Sequence, residues 1–557
     1  MRAELEQKHR FNSRSDTEVL VHGYEEWGIE GLLERIDGMF AFALWDGSKH
    51  ELFLARDRIG KKPLYYSEIP SEEPGIVGSP TVAFASTLNA LCELLPRKPE
   101  IDPIALDEYL IYQAVPAPRT IYQGLRMLPP AHFARVQRGM PVEVKGYWEL
   151  SHATKTRRSE RDLLEELDGL LRNAVKRRLI SDVPLGAFLS GGVDSSLIIG
   201  IMSSLGAGPV EAVHIGFDEA AFDERPYARQ VASKWKANLH EHVISARDVR
   251  WLPEIVWHYG QPMADASIVP TFSVARAARE HVTVVLNGDG ADEAFAGYSR
   301  PVVARAAQGF REWVPPFLQG AARGFLPMLG KRGAMLAEAV ASPAREAFAY
   351  KRGLRDVRAH LYTPELLGAL NGRADPNAHY SSVWDRSDGP TDADRTLFGE
   401  IKTYLPDQLL IKMDVSTMAH SIEARSPFLD TSVIEFAATI PASQLMRGWQ
   451  TKALLKKLAE RYVPRPVIYR RKRGFVMPAS EWLRGELAPY LKALLASETF
   501  QGRGWFQPDV VKSMVSAHLA GTRDWGNALW TLIVLEIWCR MFVDGTLTRH
   551  NSLEVVL

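Results

Sequence analysis

A loop of sequence SGGVDSS at residues 190–196 combines glycine, serine and aspartate in a pattern that could hold a phosphate group. It follows the strand-like run LGAFL and precedes an apolar run that is typical of a helix. Glycine lets backbone N–H groups approach an anion, serine hydroxyls donate hydrogen bonds, and a helix N-terminus favours negative charge. A bare Ser-Gly-Gly turn would be simpler, but it does not explain the full string. The sequence therefore predicts a phosphate-binding loop built from Ser190, Gly191, Gly192, Ser195 and Ser196.

Acidic residues in two loops indicate a magnesium ion beside the phosphate-binding loop. Asp194 lies within it, and a second loop, NGDGADEAFAGY, follows the strand-like run VTVV and carries Asp289, Asp292 and Glu293. Magnesium takes oxygen ligands and often bridges substrate phosphates through one or two carboxylates. The second loop alone would be as typical of a solvated acidic turn as of a metal site. The two loops together predict a shared metal site. No lysine follows the glycines, so the pattern differs from a Walker loop.

The densest basic run, YRRKRGF at residues 469–475, could supply a cation to an anionic leaving group. A solvated face or a nucleic-acid patch is the alternative interpretation. The chain has 67 basic and 67 acidic residues and a formal net charge of zero, so neither a nucleic-acid partner nor a membrane partner is expected. His240 and His242 alternate along a strand-like run without a nearby third ligand, and we assign them to structure rather than to a metal site.

These loops need a scaffold of parallel strands, and the sequence from residue 159 onward has the pattern of one. An amphipathic helix at residues 163–175 precedes the strand-like runs LGAFL, VEAVHIGF, EHVI and HVTVVLNG, which alternate with helical runs. Such alternation predicts an α/β fold with a parallel sheet, whose ligands bind at the carboxyl ends of the strands. From about residue 301 the pattern is mostly helical.

A separate sheet-based domain is predicted before this scaffold. It contains the short, aromatic-rich runs GMFAFALWD, HELFLARD, PLYYSE, TVAFAS and AHFARV, preceded by one or two helices. The polar run SHATKTRRSERD, from residue 151, is interpreted as a linker. The predicted domains are therefore residues 1–150 and 159–557, because a 62.3 kDa chain is too large for one core.

Composition restricts the surroundings in which the chain works. Only Cys92 and Cys539 are present, without a CxxC pair, which argues against a disulfide framework and a cysteine metal site. The charged start MRAELEQKHRF lacks the apolar middle of a secretion signal. The late run ALWTLIVLEIWCRMFV is interrupted by Glu536 and Arg540 and is too short for a membrane span. We expect a cytoplasmic protein without a membrane segment, in which that run forms a buried helix.

Seven segments of the chain, in the same order, carry a resemblance to a known family. They are SDTEV, GMFAFALWD, ARDRIGKKPLYY, FLSGGVDSS, NGDGADEAFAGY, KMDVSTMAHSIEARSPFLD and RRKRGFVMP. The chain resembles the glutamine-dependent asparagine synthetases, which are class II amidotransferases. The resemblance implies a truncated N-terminal-nucleophile (Ntn) αββα glutaminase-like domain, followed by an adenine nucleotide α-hydrolase-like domain with an ATP pyrophosphatase (PP) loop and a helical C-terminal part. It also implies an ATP-dependent ligase that makes asparagine from aspartate through a β-aspartyl adenylate, with release of AMP and pyrophosphate.

The resemblance further implies roles for individual residues. Asp194 and Asp292 would hold Mg²⁺ beside the ATP phosphates, Lys472 would contact pyrophosphate, and Asp289 would take a proton from attacking ammonia. The rest of the nucleotide site would comprise Phe188, Ile215, Asn287 and Gly288. Candidates for recognition of aspartate, or for support of the site, are Asp265, Ser267, Lys412, Asp414, Glu423 and Arg425. The expected partners are aspartate, ATP and ammonia or glutamine, with a homodimer as a candidate assembly.

Departures from the family pattern leave alternatives open. Residue 2 is arginine, whereas the family's glutaminase nucleophile is a cysteine directly after the initiator methionine, and neither cysteine of this chain could replace it. Of the family's glutamine-contacting residues only Asp16 remains, so we expect the chain to use ammonia and suspect a misassigned start or a fragment. The alternatives are a related amidotransferase or β-lactam-synthetase-like ligase acting on another carboxylate, and a non-catalytic interaction protein. Smaller departures are Thr87, Ala291, Ala296, Gln408 and Val415.

Overall fold

The computed structural model describes residues 1–69, 81–206, 208–347, 353–372, 375, 377–472 and 474–556. The chain forms two compact units. The first comprises Met1–Glu100 and Ala117–Leu150, and the second comprises Ile101–Pro116 and Ser151–Leu557. The chain thus leaves the first unit at Ile101 and returns to it at Ala117, an excursion that the sequence pattern did not reveal.

The first unit is built on two antiparallel sheets. Its elements, numbered in chain order, are α1 Arg2–Leu5, α2 Asp16–Arg35, β1 Ala41–Asp46, β2 Glu51–Arg56, β3 Tyr65–Ile69, β4 Thr81–Ala85, α3 Leu88–Glu93, β5 Leu125–Met127, β6 His132–Gln137 and β7 Glu143–Gly146. One sheet has the strand order β1-β2-β6-β7 and the other has the order β4-β3-β5. Arg56 at the end of β2 is fully buried and donates hydrogen bonds to three backbone carbonyls, those of Lys62, Leu128 and Gly60. A buried guanidinium satisfied in this way ties the strand to its neighbouring loops.

The second unit contains a parallel sheet and most of the helices. Its first part comprises α4 Pro103–Tyr112, α5 Glu160–Arg178, β8 Leu185–Phe188, α6 Val193–Ser204, β9 Glu211–Phe217, α7 Arg225–Trp235, β10 Asn238–Ile244, α8 Leu252–Tyr259, α9 Ile268–Ala278, β11 Val284–Leu286, α10 Ala291–Ala294 and α11 Ser299–Trp313. Its second part comprises α12 Pro316–Phe325, α13 Lys331–Ala341, α14 Ala344–Ala347, α15 Arg358–Leu361, α16 Pro364–Leu370, α17 Ala378–Arg386, α18 Asp392–Lys402, α19 Ile411–Met418, β12 Glu423–Arg425, α20 Thr431–Thr439, α21 Ala442–Leu445, α22 Ala453–Ala459, α23 Arg465–Tyr469, α24 Ala479–Arg484, α25 Ala488–Leu495, α26 Glu498–Gly502, α27 Pro508–Leu519 and α28 Gly526–Phe542. Short 3₁₀ helices lie at Ala246–Trp251, Leu326–Leu329, Pro427–Leu429 and Leu553–Val556, and a π-helical turn lies at Leu405–Leu410.

Helix α4 belongs to the second unit because its polar side chains are satisfied there. The Tyr109 hydroxyl donates to the carbonyl of Thr531 at 2.7 Å. The buried carboxylate of Asp107 accepts two hydrogen bonds from Arg358, both at 2.9 Å. Removing these groups from their partners would leave buried polar atoms unsatisfied, which is costly.

The strands of the second unit form one five-stranded parallel sheet of order β10-β9-β8-β11-β12. The predicted mixed α/β fold with a parallel sheet is thereby confirmed. The strand-like runs from residue 185 to residue 288 each coincide with one of its first four strands. Strand β12 was not predicted, because its three residues, Glu-Ala-Arg, show no apolar alternation. The order places β8 at the centre, so the loop after it lies in the middle of the carboxyl edge.

Helix α28 is almost completely buried, as the sequence predicted for this run. Its Glu536 is fully buried and accepts hydrogen bonds from Arg503 at 2.6 Å and from Arg540 at 2.8 Å. These pairs explain how an acidic residue is tolerated inside an apolar helix. Within the described ranges, no helix is both long enough and apolar enough to cross a membrane.

A glycine in β8 controls how closely the central strands pack. A Cβ atom on Gly186 would lie 2.4 Å from the carbonyl oxygen of Glu211 in β9. We therefore expect Gly186→Ala to lower the free energy of unfolding by about 1–3 kcal/mol, because the strands must separate. Gly169→Ala is the matched control: nothing lies within 4 Å of its Cβ position on α5, so alanine should stabilise the helix by about 0.5–1 kcal/mol. Urea unfolding followed by tryptophan fluorescence measures both changes, and equal midpoints for the two variants would contradict the packing argument.

Candidate functional site

The SGGVDSS loop is ordered by its own serines. Strand β8 ends at Phe188, and α6 begins at Val193. The Ser195 hydroxyl accepts from the N–H of Ser190 at 3.1 Å and lies 3.0 Å from the Ser190 hydroxyl. Gly191 has a φ of 72°, a backbone conformation that favours glycine. The loop thus turns sharply into the N-terminus of α6, where backbone N–H groups and the helix dipole favour an anion.

The acidic loop lies directly against this first loop because β11 is the neighbour of β8. A Cβ atom on Gly288 would be 2.9 Å from the Cβ of Asp194, so only glycine allows this approach. The side-chain oxygen of Asn287 accepts from the N–H of Asp289 at 3.2 Å and from the Ser426 hydroxyl at 2.6 Å. These contacts bring the carboxylates of both loops to one point of the sheet edge.

Lys452, just before α22, joins the two loops. Its Nζ lies 2.6 Å from Oδ2 of Asp194 and 2.6 Å from Oδ1 of Asp292. Lys472 contacts the same oxygen of Asp292 and donates to the carbonyl of Gly297 at 3.2 Å. Although burial opposes its charge, the two carboxylates raise the pKa of Lys452. Burial likewise opposes the charge of Asp292, but Lys452 and Lys472 lower the pKa of that carboxyl. The loops therefore meet around a charged ammonium group.

The residues present fit a divalent cation. An ammonium nitrogen already lies between Asp194 and Asp292, within hydrogen-bond distance of both carboxylates. Oδ1 of Asp194 is buried and has no hydrogen-bond partner among the described residues. Carboxylate oxygens are the ligands that Mg²⁺ prefers. The residues present could therefore hold Mg²⁺, and the magnesium site stays a prediction.

A second polar cluster lies deeper in the same unit. Lys412 of α19 donates to the Ser267 hydroxyl at 2.6 Å, and its Nζ lies 3.8 Å from Oδ1 of Asp265. Ser267 in turn donates through its N–H and hydroxyl to Asp265. Burial and, to a smaller extent, Asp292 and Asp194 raise the pKa of Asp289 to about 6, against the opposing effect of Lys412. A carboxyl with this pKa can exchange a proton near neutral pH.

A cavity of about 280 Å³ connects the two clusters. The sequence-predicted residues that line it are Phe188, Ser190, Gly192, Asp194, Ser195, Ile215, Asp265, Ser267, Asn287, Gly288, Asp289, Asp292, Lys412 and Lys472. Three of these present a buried polar atom without a hydrogen-bond partner in the described chain: Asp194 Oδ1, Asn287 Nδ2 and Asp289 Oδ2. Because buried polar atoms are nearly always hydrogen-bonded in native proteins, these atoms indicate that the cavity receives a polar ligand.

The structure places the remaining predicted residues outside the cavity lining. Gly191 packs against the carbonyl of Glu224, and Ser196 is buried within α6. Arg425 donates to the carbonyls of Arg178 and Ile180 and to Glu423, so this pair secures the end of β12. Asp414 lies on α19 without reaching the lining, and Asp16 is exposed in the first turn of α2 in the other unit.

Sequence reasoning missed several charged residues of the cavity. They are Lys452, Lys456, Glu224 and Arg470. Arg470 lies in the predicted basic run and donates to the carbonyl of Gly191 at 3.2 Å, so that run does reach the loop. Lys452 had no such signal, because a lysine beside the amphipathic run ALLKKL is typical of a solvated helix.

The fold and the cavity define an α/β protein with an anion-binding site at the carboxyl edge of a parallel sheet. Comparison with known proteins gives the family. The asparagine synthase family model matches residues 166–540, and the glutamine amidotransferase domain model matches residues 1–148. The chain belongs to the asparagine synthase family.

Three relatives illustrate the range of the similarity. Asparagine synthetase (glutamine-hydrolyzing) 1 of Bacillus subtilis is 31% identical over 97% of this chain and 83% of that protein. Asparagine synthetase (glutamine-hydrolyzing) 3 of the same organism is 28% identical over 95% of this chain and 85% of its own length. Amidase chyE of Penicillium rubens is 24% identical over 90% of this chain and 79% of its own length. The similarity therefore extends through both units.

The bridge formed by Lys452 can be tested without substrate. We expect Lys452→Met to lower the free energy of unfolding by about 1–3 kcal/mol, because two partly buried carboxylates lose their shared cation. Added Mg²⁺ should reverse much of this loss, since it can replace the ammonium group. Thermal unfolding with Mg²⁺ and with a chelator provides the measurement.

Lys457→Met is the matched control for this experiment. Lys457 lies five residues along the same helix and pairs at the surface with Glu460. Its unfolding midpoint should stay nearly unchanged and should not depend on Mg²⁺. If Mg²⁺ stabilises Lys452→Met no more than Lys457→Met, Asp194 and Asp292 do not form a metal site.

Proposed function

We propose that this chain is an ATP-dependent ligase that converts aspartate to asparagine and releases AMP and pyrophosphate. The observation that carries the proposal is the meeting of the phosphate loop with Asp194, Asp292 and Lys452 at one end of a cavity. The other end presents Asp289 and the Lys412 cluster, which suit the amino-acid acceptor and the incoming nitrogen. Both reacting groups can therefore enter one enclosed space, which is what a condensation requires.

Membership of the family supports a finer description of the two units. We assign the first unit to the Ntn αββα glutaminase-like class and the second to the adenine nucleotide α-hydrolase-like class with a PP loop. The proposed functional domains are residues 1–150 and 159–557. Cys92 and Cys539 are both free thiols, which supports a reducing cytoplasmic location.

In the first step a carboxylate oxygen of the aspartate side chain attacks the α-phosphorus of ATP. A new P–O bond forms, the bond from the α-phosphorus to the bridging oxygen breaks, and pyrophosphate leaves with the electron pair. Donors of the loop, including Ser190 and Ser195, bind the phosphates, while Lys452 and Lys472 stabilise the charge that develops on pyrophosphate. Mg²⁺ held by Asp194 and Asp292 would add neutralisation of the phosphate charge.

In the second step ammonia attacks the carbonyl carbon of the β-aspartyl adenylate. The nitrogen must lose a proton as the C–N bond forms, and AMP leaves with the electrons of the acyl C–O bond. Asp289 lines the cavity, and its Oδ2 has no hydrogen-bond partner among the described residues, so we assign this carboxylate to accept that proton. A pKa of about 6 leaves this group mainly ionised at neutral pH yet basic enough to act.

An assay of the Asp289→Asn variant distinguishes adenylate formation from the attack of ammonia. Full-length protein with ATP, aspartate and ammonium should release AMP and pyrophosphate. In Asp289→Asn we expect asparagine formation to fall at least ~100-fold, whereas aspartate-dependent exchange of labelled pyrophosphate into ATP persists, because only the second step needs the base. Asp194→Asn should lose both activities. ADP as the product, or loss of exchange in Asp289→Asn equal to that in Asp194→Asn, would contradict the mechanism.

The acceptor end of the cavity is tested with Lys412. This buried ammonium group lowers the pKa of Asp289 against the effect of burial, and it could bind a carboxylate of the acceptor. We expect Lys412→Gln to raise the KM for aspartate at least ~10-fold while the KM for ATP changes little, because a charge-assisted hydrogen bond is lost. Arg425→Gln is the control, since Arg425 binds backbone carbonyls outside the cavity and should leave the KM for aspartate unchanged. A larger effect on ATP than on aspartate would place the acceptor elsewhere.

A further inference from the structure

The surface around α12 exposes an unusual number of large apolar side chains. Six large apolar side chains of the described residues are at least 67% exposed, and five of these lie between residues 313 and 329. They are Trp313 at 86%, Phe317 at 83%, Met328 at 80%, Leu329 at 74% and Phe325 at 67%. We call this region, residues 313–332, the α12 surface. Single exposed apolar residues are normal, but a contiguous group of this size indicates an interaction site.

Helix α12 has no buried residue and presents large apolar side chains to solvent, unlike an ordinary surface helix. Gln319 points toward the protein, where its amide donates to the carbonyls of Val314 and Arg311 at 2.9 and 3.3 Å. Phe317, Ala321 and Phe325 are spaced at i, i+4 and i+8 and are all exposed. A helix in contact with water normally presents its charged side outward. The exposed side of α12 is therefore suited to an apolar environment.

The charged side chains within the α12 surface have one sign. Residues 313–332 contain Arg323, Lys331 and Arg332 but no aspartate or glutamate, although the whole chain is neutral and the exposed acids Glu312 and Glu338 lie just outside the surface. Arg323 and Lys331 are exposed and make no ion pair with the part of the chain that the structure describes. Arg332 lies over the ring of Trp449, with 5.3 Å between its guanidinium carbon and the ring centroid. The α12 surface thus contains cations that have no acidic partner among the described residues.

We propose that the α12 surface binds the interface of an anionic phospholipid membrane. Aromatic and aliphatic side chains on one side of a helix, with arginine and lysine beside them, are the pattern of helices that lie in the headgroup region. Tryptophan is enriched at that depth, and basic residues are attracted to anionic headgroups. A second copy of the chain is a poorer occupant, because a two-fold interface would place the cations of both α12 surfaces against each other. This inference is independent of the reaction catalysed in the cavity.

Cosedimentation with vesicles tests the proposal on the full-length chain. Vesicles of phosphatidylcholine with phosphatidylglycerol are compared with vesicles of phosphatidylcholine alone. We expect binding to the anionic vesicles that weakens with salt, and little binding to the neutral ones. The double variants Phe317→Ser/Met328→Ser and Arg323→Glu/Lys331→Glu should each bind at least ~10-fold more weakly. Ile180→Ser, which alters an equally exposed but isolated apolar residue, should bind like the unaltered protein.

Each other result overturns the proposal. Equal binding to neutral and anionic vesicles would remove the role of charge, and binding unchanged in both double variants would place the contact elsewhere. Absence of binding to either vesicle, together with a dimer in sedimentation equilibrium that Phe317→Ser/Met328→Ser dissociates, would identify a second copy as the occupant. All substituted side chains are exposed, so the variants should keep the unfolding midpoint of the unaltered protein, and this measurement is made first.

Discussion

The site depends on one electrostatic constraint: two carboxylates that come from adjacent strands cannot be buried together without a cation. Asp194 and Asp292 are brought together by the contact between Gly288 and the first loop, and Lys452 supplies the charge that makes their proximity tolerable. Removing a carboxylate from water costs free energy, and only a closely paired cation can offset this cost. The pairing of β8 with β11 can therefore bring Asp194 and Asp292 together only because a lysine from a distant part of the chain lies between them.

The same constraint separates the chemical roles of neighbouring acids. Asp292 faces two lysines, which lower its pKa, whereas Asp289, three residues earlier, has mainly burial and like charges around it. The first is held ionised, and the second can gain or lose a proton near neutral pH. One short loop thus carries two carboxyl groups of different acidity, because the surroundings push the two pKa values apart.

The sequence predicted the elements that have a local residue pattern. It did not predict the features that depend on contacts between distant parts of the chain. Apolar runs predicted β8, β9, β10 and β11, and the glycine and serine pattern predicted the loop after β8. Lys452, β12 and the excursion at Ile101–Pro116 gave no local signal. Each is determined by partners hundreds of residues away, as when Tyr109 of α4 bonds to Thr531. Glu423 and Arg425 were predicted to recognise aspartate or to support the site; in the structure they pair with each other at the end of β12, and their role in the site stays a prediction.

Net charge is a sum over the whole chain, and in this chain it does not reveal two opposite local arrangements of charge. In the cavity, Lys452 and Lys472 pair with Asp194 and Asp292, so these charges are neutralised within the chain. On the α12 surface the cations stand beside apolar groups without acids, so their charge remains available to something outside the chain. Neutrality excludes a long-range field over the whole protein, but it does not exclude binding by the α12 surface, because screening confines such interactions to about 10 Å. The local sign of charge, and not its sum, therefore decides which partners each surface can accept.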